Sequence, residues 1–349
     1  MSLRWRGYSP SLSTAPEMPR RAVVLMNLGG PDSPGAVQPF LYNLFSDPAI
    51  IGLPTWLRLP LARLVAARRA RVARGLYAEL GGSSPLLANT EAQAHALESE
   101  LGAAYRCFVA MRYWHPLTEE AVAEVKAWQP HEIVLLPLYP QFSTTTTASS
   151  LGAWKREAKQ QQLDTRTRVI RSYPESAGFV AAIAGLVGEA RDAAAGDWGT
   201  TRLLFSAHGL PLRVVRAGDP YPEEVERTAS AVVQALDRPG LDWRVCYQSR
   251  VGPLAWLGPS VEDELRQAGR DGVAVVIAPI SFVSEHVETL VELDRGYRRL
   301  AAECGVPGYH RVATVGTDQR FIAVLARLVR AAGGEERGDA AAALTETAS

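Results

Sequence analysis

Continuous apolar runs of strand length recur along the chain, and an amphipathic stretch follows most of them. Ala22–Leu28, Arg106–Met111, His131–Leu138 and Thr167–Tyr173 are the runs of the first half. Thr201–Ser206, Trp243–Gln248, Gly272–Pro279 and Tyr309–Val315 are those of the second. Several are rich in β-branched residues, with little alternation of polar and apolar, as expected for strands buried on both faces of a parallel sheet. Helical spacing falls near 89–102, 176–194, 221–237, 260–268, 284–303 and 318–332. Strand–helix alternation of this kind predicts an α/β protein of two doubly wound domains, each with a roughly four-stranded parallel sheet, facing a central cleft. The expected domains are 20–174 and 175–317. Helix 318–332 is placed to pack back on the first domain, and 1–19 and 333–349 read as disordered tails.

The interval 38–69 breaks this rhythm. An aromatic and apolar segment, Pro39–Phe45, is followed by Ile50–Leu61 with prolines at 54 and 60. Arg63, Arg68, Arg69, Arg71 and Arg74 come directly after. An apolar segment beside a basic cluster suits the surface of an anionic membrane. It equally suits a buried helical hairpin with a solvated arginine face.

The 349 residues include 37 basic and 37 acidic side chains, so no global positive field points to nucleic acid. The cysteines, Cys107, Cys246 and Cys304, are widely spaced and form neither a disulfide framework nor a zinc unit, which fits a reducing cytoplasm. No apolar run approaches the roughly 18 residues of a membrane span.

Candidate chemistry gathers where strands of the second half end. Leu203–Ser206 runs into Ala207-His208-Gly209-Leu210-Pro211, and Val273–Pro279 leads to Ser281–Glu292, which carries Glu285, His286, Glu288 and Glu292. Open α/β sheets place ligands at the carboxyl ends of their strands. On a helix Glu288 and Glu292 share a face, while His286 points elsewhere and has a supporting role. His208 with one or two carboxylates suits a first-row divalent metal and also suits proton transfer. Acids at a helix N-terminus also satisfy the dipole with no chemistry at all.

These motifs, taken in order, resemble the ferrochelatase family over about 22–330. They are Asn27-Leu28-Gly29-Gly30-Pro31, Gly82-Ser83-Ser84-Pro85, Met111–Glu120, Tyr139-Pro140-Gln141-Phe142-Ser143, Ser206–Pro211, Gln248–Pro253 and Ser281–Glu292. The resemblance implies two Rossmann-like domains with a porphyrin between them, and insertion of Fe²⁺ as substrate into protoporphyrin IX. It implies His208 and Glu288 as the catalytic and metal-binding pair, with Glu292 as a further metal carboxylate. Leu28, Arg69, Ser84, Arg112 and Tyr113 match porphyrin-contacting positions. The interval 38–69 matches a membrane-facing lip.

The chain departs from the family pattern in three places. Some members hold a [2Fe-2S] cluster, with one cysteine after the Tyr-Pro-Gln motif and three near the C-terminus. Thr144 stands at the first position and no cysteine follows Cys304, so no cluster and no permanent cofactor are expected. Leu28 replaces the tyrosine of members acting on coproporphyrin, which favours protoporphyrin IX. Gly296 stands where a third acid would follow Glu292. A chelatase for another metal and tetrapyrrole, or a non-catalytic tetrapyrrole carrier, are the alternatives.

Overall fold

The central strands of each sheet, Arg21–Asn27 and Glu132–Pro137 in one and Thr201–His208 and Ala274–Pro279 in the other, are buried on both faces over nearly their whole length. The computed structural model describes residues 20–193, 201–250, 252 and 254–334; the expected tail 1–19 and most of 333–349 lie outside them. The first lobe comprises β1 (Arg21–Asn27), α1 (Val37–Ser46), α2 (Thr55–Ala78), α3 (Leu86–Leu101), β2 (Tyr105–Met111), α4 (Thr118–Trp128), β3 (Glu132–Pro137), α5 (Thr147–Gln160) and β4 (Thr167–Val169). After α6 (Ala177–Ala193) come β5 (Thr201–His208), α7 (Leu212–Arg216), α8 (Tyr221–Leu236), β6 (Trp243–Gln248), α9 (Val261–Asp271) and β7 (Ala274–Pro279). A π-helix (Glu288–Gly296), α10 (Tyr297–Glu303), β8 (Tyr309–Arg311) and α11 (Gln319–Ala332) complete the chain.

Both sheets are four-stranded and parallel, in the orders β2-β1-β3-β4 and β6-β5-β7-β8. The order reverses around β1 in one and β5 in the other, so a crevice opens at the carboxyl ends of these central strands. Successive residues of β1 point to opposite faces. Val23 and Leu25 join a large core shared by both lobes, whereas Ala22, Val24 and Met26 join a separate one under α4 and α5. In that shared core α11 packs on α6 and α3, and Tyr173, Phe179 and Phe321 meet at ring separations of 5.8–6.4 Å. The chain passes between the lobes at 170–176, where Ile170 and Tyr173 are buried.

Polar side chains fix one lobe against the other. Gln93 of α3 donates to the Val283 and Gly316 carbonyls, both at 2.9 Å, and accepts from Ser284. Asp219, almost fully buried, accepts from the Ser143 hydroxyl at 3.0 Å and from the Thr144 amide and hydroxyl at 2.8 and 2.6 Å. Its other oxygen accepts from the Tyr221 amide at 3.0 Å. Asp219→Ala leaves three donors in the first lobe without their acceptor. It is expected to cost about 2–4 kcal/mol, read as a lower denaturant midpoint at unchanged m.

The structure departs from the sequence reading in four local respects. β5 runs on through His208, which is the last strand residue and not part of the following loop. β4 and β8 stop after three residues each. The stretch 284–303 is not one α-helix: its first three residues are non-helical, Val287 leads into a π-helix over 288–296, and 297–303 is α-helical. Pro60 lies inside α2 without ending it, because α2 is 24 residues long and Pro60 is in its second turn.

Candidate active site

β5, β6 and β7 deliver the polar residues of the site to one edge of the second sheet. His208 ends β5, and Gly209 follows at the closest approach of β6. A Cβ on Gly209 would stand 2.9 Å from the Gln248 carbonyl, which instead accepts the Gly209 amide at 2.9 Å. Only glycine lets the His208 turn lie this close. Gln248 ends β6 and is fully buried, with its side-chain oxygen accepting from Ser206 at 2.8 Å. Beyond β7, Thr289 closes the turn that starts the π-helix. Its hydroxyl accepts from the His286 amide at 2.9 Å and donates to the His286 carbonyl at 3.1 Å.

His208 Nδ1 lies 2.9 Å from Glu288 Oε2, leaving Nε2 available. Ser249, just past β6, reaches Glu288 Oε2 at 3.2 Å and Glu292 Oε2 at 2.6 Å with its hydroxyl. Its amide donates to Glu292 Oε1 at 2.9 Å. The wider π-turn places Tyr297, not Gly296, beyond Glu292: the Tyr297 amide bonds the Glu292 carbonyl, an i to i+5 bond. The Tyr297 phenol donates towards Glu292 Oε1 at 3.0 Å and lies 3.3 Å from Glu262 of α9. Thus the acid row continues through a phenol to a carboxylate of another helix.

The charges separate sharply. Burial opposes the His208 imidazolium, but the Glu288 carboxylate outweighs it, with help from Glu292, and His208 is raised above 6.5. Burial would raise Glu288, yet the attraction and hydrogen bond of His208 hold it well below the usual range. Glu292 is raised, first by burial and then by the Glu288 charge. His286 precedes the helix and is buried, with its ring 4.5 Å from that of Phe282. Burial lowers it, favouring neutral imidazole, and its Nδ1 has no partner. Glu285 is turned away as an anchor, bonded by Arg311 at 2.8 Å and the Thr314 amide at 3.0 Å.

The first lobe supplies an apolar wall. Leu28, Phe45, Ala73, Tyr77, Tyr113 and Val287 belong to one cluster, so this wall reaches the residue between His286 and Glu288. Arg69 of α2 lies over the Phe45 ring at 5.9 Å. Ser84 fills the space above Gly30, where a Cβ would come within 2.5 Å of its hydroxyl oxygen. Arg112 and Tyr113 leave β2 and turn to a buried carboxylate of the lip, Asp47, at 2.7 and 2.8 Å. Burial pushes the Asp47 carboxyl up, but Ser149, the Ala49 amide, Arg112 and Tyr113 together hold it down. The structure therefore gathers His208, Glu288 and Glu292. It places Leu28 in the apolar wall that includes Val287, and it ties Arg112 and Tyr113 to Asp47. Two residues that sequence reasoning missed are Ser249 and Tyr77. Burial, and then the Glu288 charge, raise the Tyr77 phenol, which puts α2 within electrostatic reach of the site.

The sequence profile of the ferrochelatase family matches residues 20–332. A ferrochelatase of Caulobacter vibrioides is 54% identical over 327 residues, covering 92% of this chain and 93% of that one. One from Phenylobacterium zucineum is 53% identical over 310 residues, covering 87% and 89%. The chain belongs to the ferrochelatase family. Two solved structures of SirB show the same fold at much lower identity. SirB of Bacillus subtilis with Fe3+ aligns at a TM-score of 0.51 and 13% identity, covering 90% of this chain and 95% of its own. The sirohydrochlorin chelatase SirB of Bacillus subtilis subspecies spizizenii, in complex with cobalt, gives 0.52 at 11%, covering 90% and 96%. This ferrochelatase chain thus shares with them a paired-sheet architecture. Among its described residues, no group of three or more His, Cys, Asp or Glu is arranged to hold a metal. His208 and Glu288 present an open pair of donors.

Proposed function

We infer that this ferrochelatase inserts Fe²⁺ into protoporphyrin IX to form protohaem. The observation that supports this most directly is the His208–Glu288 pair at the sheet edge, opposite an apolar wall. Insertion replaces two pyrrole protons by one Fe²⁺. Glu288 orients the His208 ring through Nδ1, so Nε2 is the nitrogen that meets the metal or takes a proton. The resulting imidazolium is stabilised by the same carboxylate. Glu292, the more readily protonated acid, takes up the second proton. His286, kept neutral by burial, supports Glu288 from the side. Leu28, Arg69, Ser84 and Arg112 form the porphyrin side of the cleft, with buried Tyr113 backing Arg112 and Arg69 the guanidinium suited to a propionate.

The cluster of some family members does not fit the residues present here. Thr144 has no thiolate, and its amide and hydroxyl are both engaged by Asp219. Cys246 lies in the core and Cys107 on β2, and burial raises both thiols. The proposed reaction therefore includes no permanent cofactor. Anaerobic mixing with Fe²⁺ and protoporphyrin IX tests the function: the porphyrin absorption bands should give way to those of haem over many turnovers. One bound equivalent without turnover would mean a carrier. Faster turnover with another metal and tetrapyrrole would mean a different chelatase.

The lip 38–69 is proposed to rest on an anionic membrane surface from the cytoplasmic side. No helix among the described residues is long and apolar enough to cross a membrane. Instead Trp56, Leu57, Leu59, Leu61, Leu64, Val72 and Leu76 are exposed along α2, with Trp56 74% exposed. Arg63, Arg68, Arg71 and Arg74 are exposed on the same helix. Co-sedimentation with phosphatidylserine vesicles should exceed that with neutral vesicles and weaken with salt. Trp56→Asp should reduce it several-fold, as about 1.5–3 kcal/mol accompanies full burial of a large apolar side chain. Equal, background-level sedimentation with both vesicle types would refute the contact.

A further inference from the structure

Ser249 is one of four described non-glycine residues with positive φ, at +63°. That region is rarely adopted by residues with a side chain, and such strain is retained where the surroundings demand it. Here the conformation turns the amide and the hydroxyl to the same side. The amide donates to Glu292 Oε1 at 2.9 Å and the hydroxyl to Glu292 Oε2 at 2.6 Å, a two-pronged grip on one carboxylate. The same hydroxyl is 3.2 Å from Glu288 Oε2, the oxygen that His208 also meets. The ends of the grip are themselves fixed. Tyr297 holds Glu292 Oε1 at 3.0 Å, and Gln248, locked by Ser206, donates to the Glu288 carbonyl at 3.2 Å.

We propose that Ser249 is the positioning residue that keeps the Glu288 and Glu292 carboxylates together and so holds Glu288 on His208. Two acids one turn apart repel each other, and the single hydroxyl proton between them is the donor they share. Without it, Glu288 retains, among the described residues, His208 alone as a side-chain hydrogen-bond partner and is free to swing away. The inference rests on the assignment of iron insertion to the His208–Glu288 pair. Porphyrin has no part in this grip, so the loss should fall on iron and not on porphyrin.

Two variants separate the hydroxyl from the backbone. S249G keeps the amide and relieves the strain, so it should fold at least as well as the parent. S249A removes the hydroxyl and keeps the strain. Both should lower kcat/KM for Fe²⁺ by roughly 10- to 100-fold, the usual effect of losing a group that orients a metal ligand. The KM for protoporphyrin IX should stay within about 2-fold of the parent value. Parental iron kinetics in S249G would overturn the proposal, because the amide alone would then suffice. An equal rise in both KM values would overturn it too. Turnover by the parent in the same assay tests the underlying assignment separately: no haem from the parent rejects that assignment, whatever the variants do.

Discussion

His208→Ala is expected to abolish measurable iron insertion while leaving porphyrin binding and the fold intact. The imidazole is the base hydrogen-bonded to Glu288, and positioned bases contribute about 10²–10⁴-fold to a reaction that moves protons. The same substitution removes a metal donor, so the two losses act on one step and kcat should fall by at least that factor. Stability should change little, because the His208 side chain is 38% exposed and its ring packs only at 6.3 Å, edge-on, against Phe282. Under the proposed assignment porphyrin binding draws on the apolar wall of Leu28, Phe45 and Tyr77, which the change does not touch. Porphyrin fluorescence on titration measures binding, and haem absorption measures turnover. Turnover within a few-fold of the parent would reject His208 as the base and as the metal donor.

The sheet edges were legible because continuous apolar runs leave few alternatives to a buried parallel strand, and parallel strands align their carboxyl ends. That placed His208, at the end of β5, and Glu288, after β7, on one rim. The π-turn was not legible. An i to i+4 spacing of acids fits both turns, and the choice depends on Thr289 closing on His286 and on Tyr297 reaching Glu262. For the same reason Gly296 looked like the end of the acid row, when the widened turn sets Tyr297 in line instead. Ser249 was hidden because serine carries no signal for positive φ. Tyr77 was hidden in an arginine-rich stretch that reads as a solvated face, and one buried aromatic on such a face shows only when α2 is seen against the second lobe. The tie of Arg112 and Tyr113 to Asp47 was not legible, because the sequence does not reveal that this carboxylate, 65 positions before Arg112, returns to meet them.

Glu288→Gln is expected to lower the plateau of activity by about 10²-fold or more and to move its acid limb to lower pH. Glutamine keeps the volume and a hydrogen-bonding oxygen but removes the charge that lies 2.9 Å from His208. In the parent the active form carries neutral His208, whose pKa is raised above 6.5 by Glu288 against the effect of burial. Activity should therefore fall as pH drops through a value above 6.5, where the imidazole becomes protonated and can accept neither metal nor proton. With the charge gone, burial acts against only the weaker attraction of Glu292, and the imidazole stays neutral to lower pH. The plateau falls because the metal loses an anionic donor and the imidazolium loses its counter-charge. The two effects have opposite signs near the parent limb: the variant is slower everywhere, but it retains a larger share of its own maximum in acid. Profiles of kcat/KM for Fe²⁺ at saturating porphyrin separate them. An acid limb unmoved by the substitution would mean that the titrating group is not His208 held by Glu288.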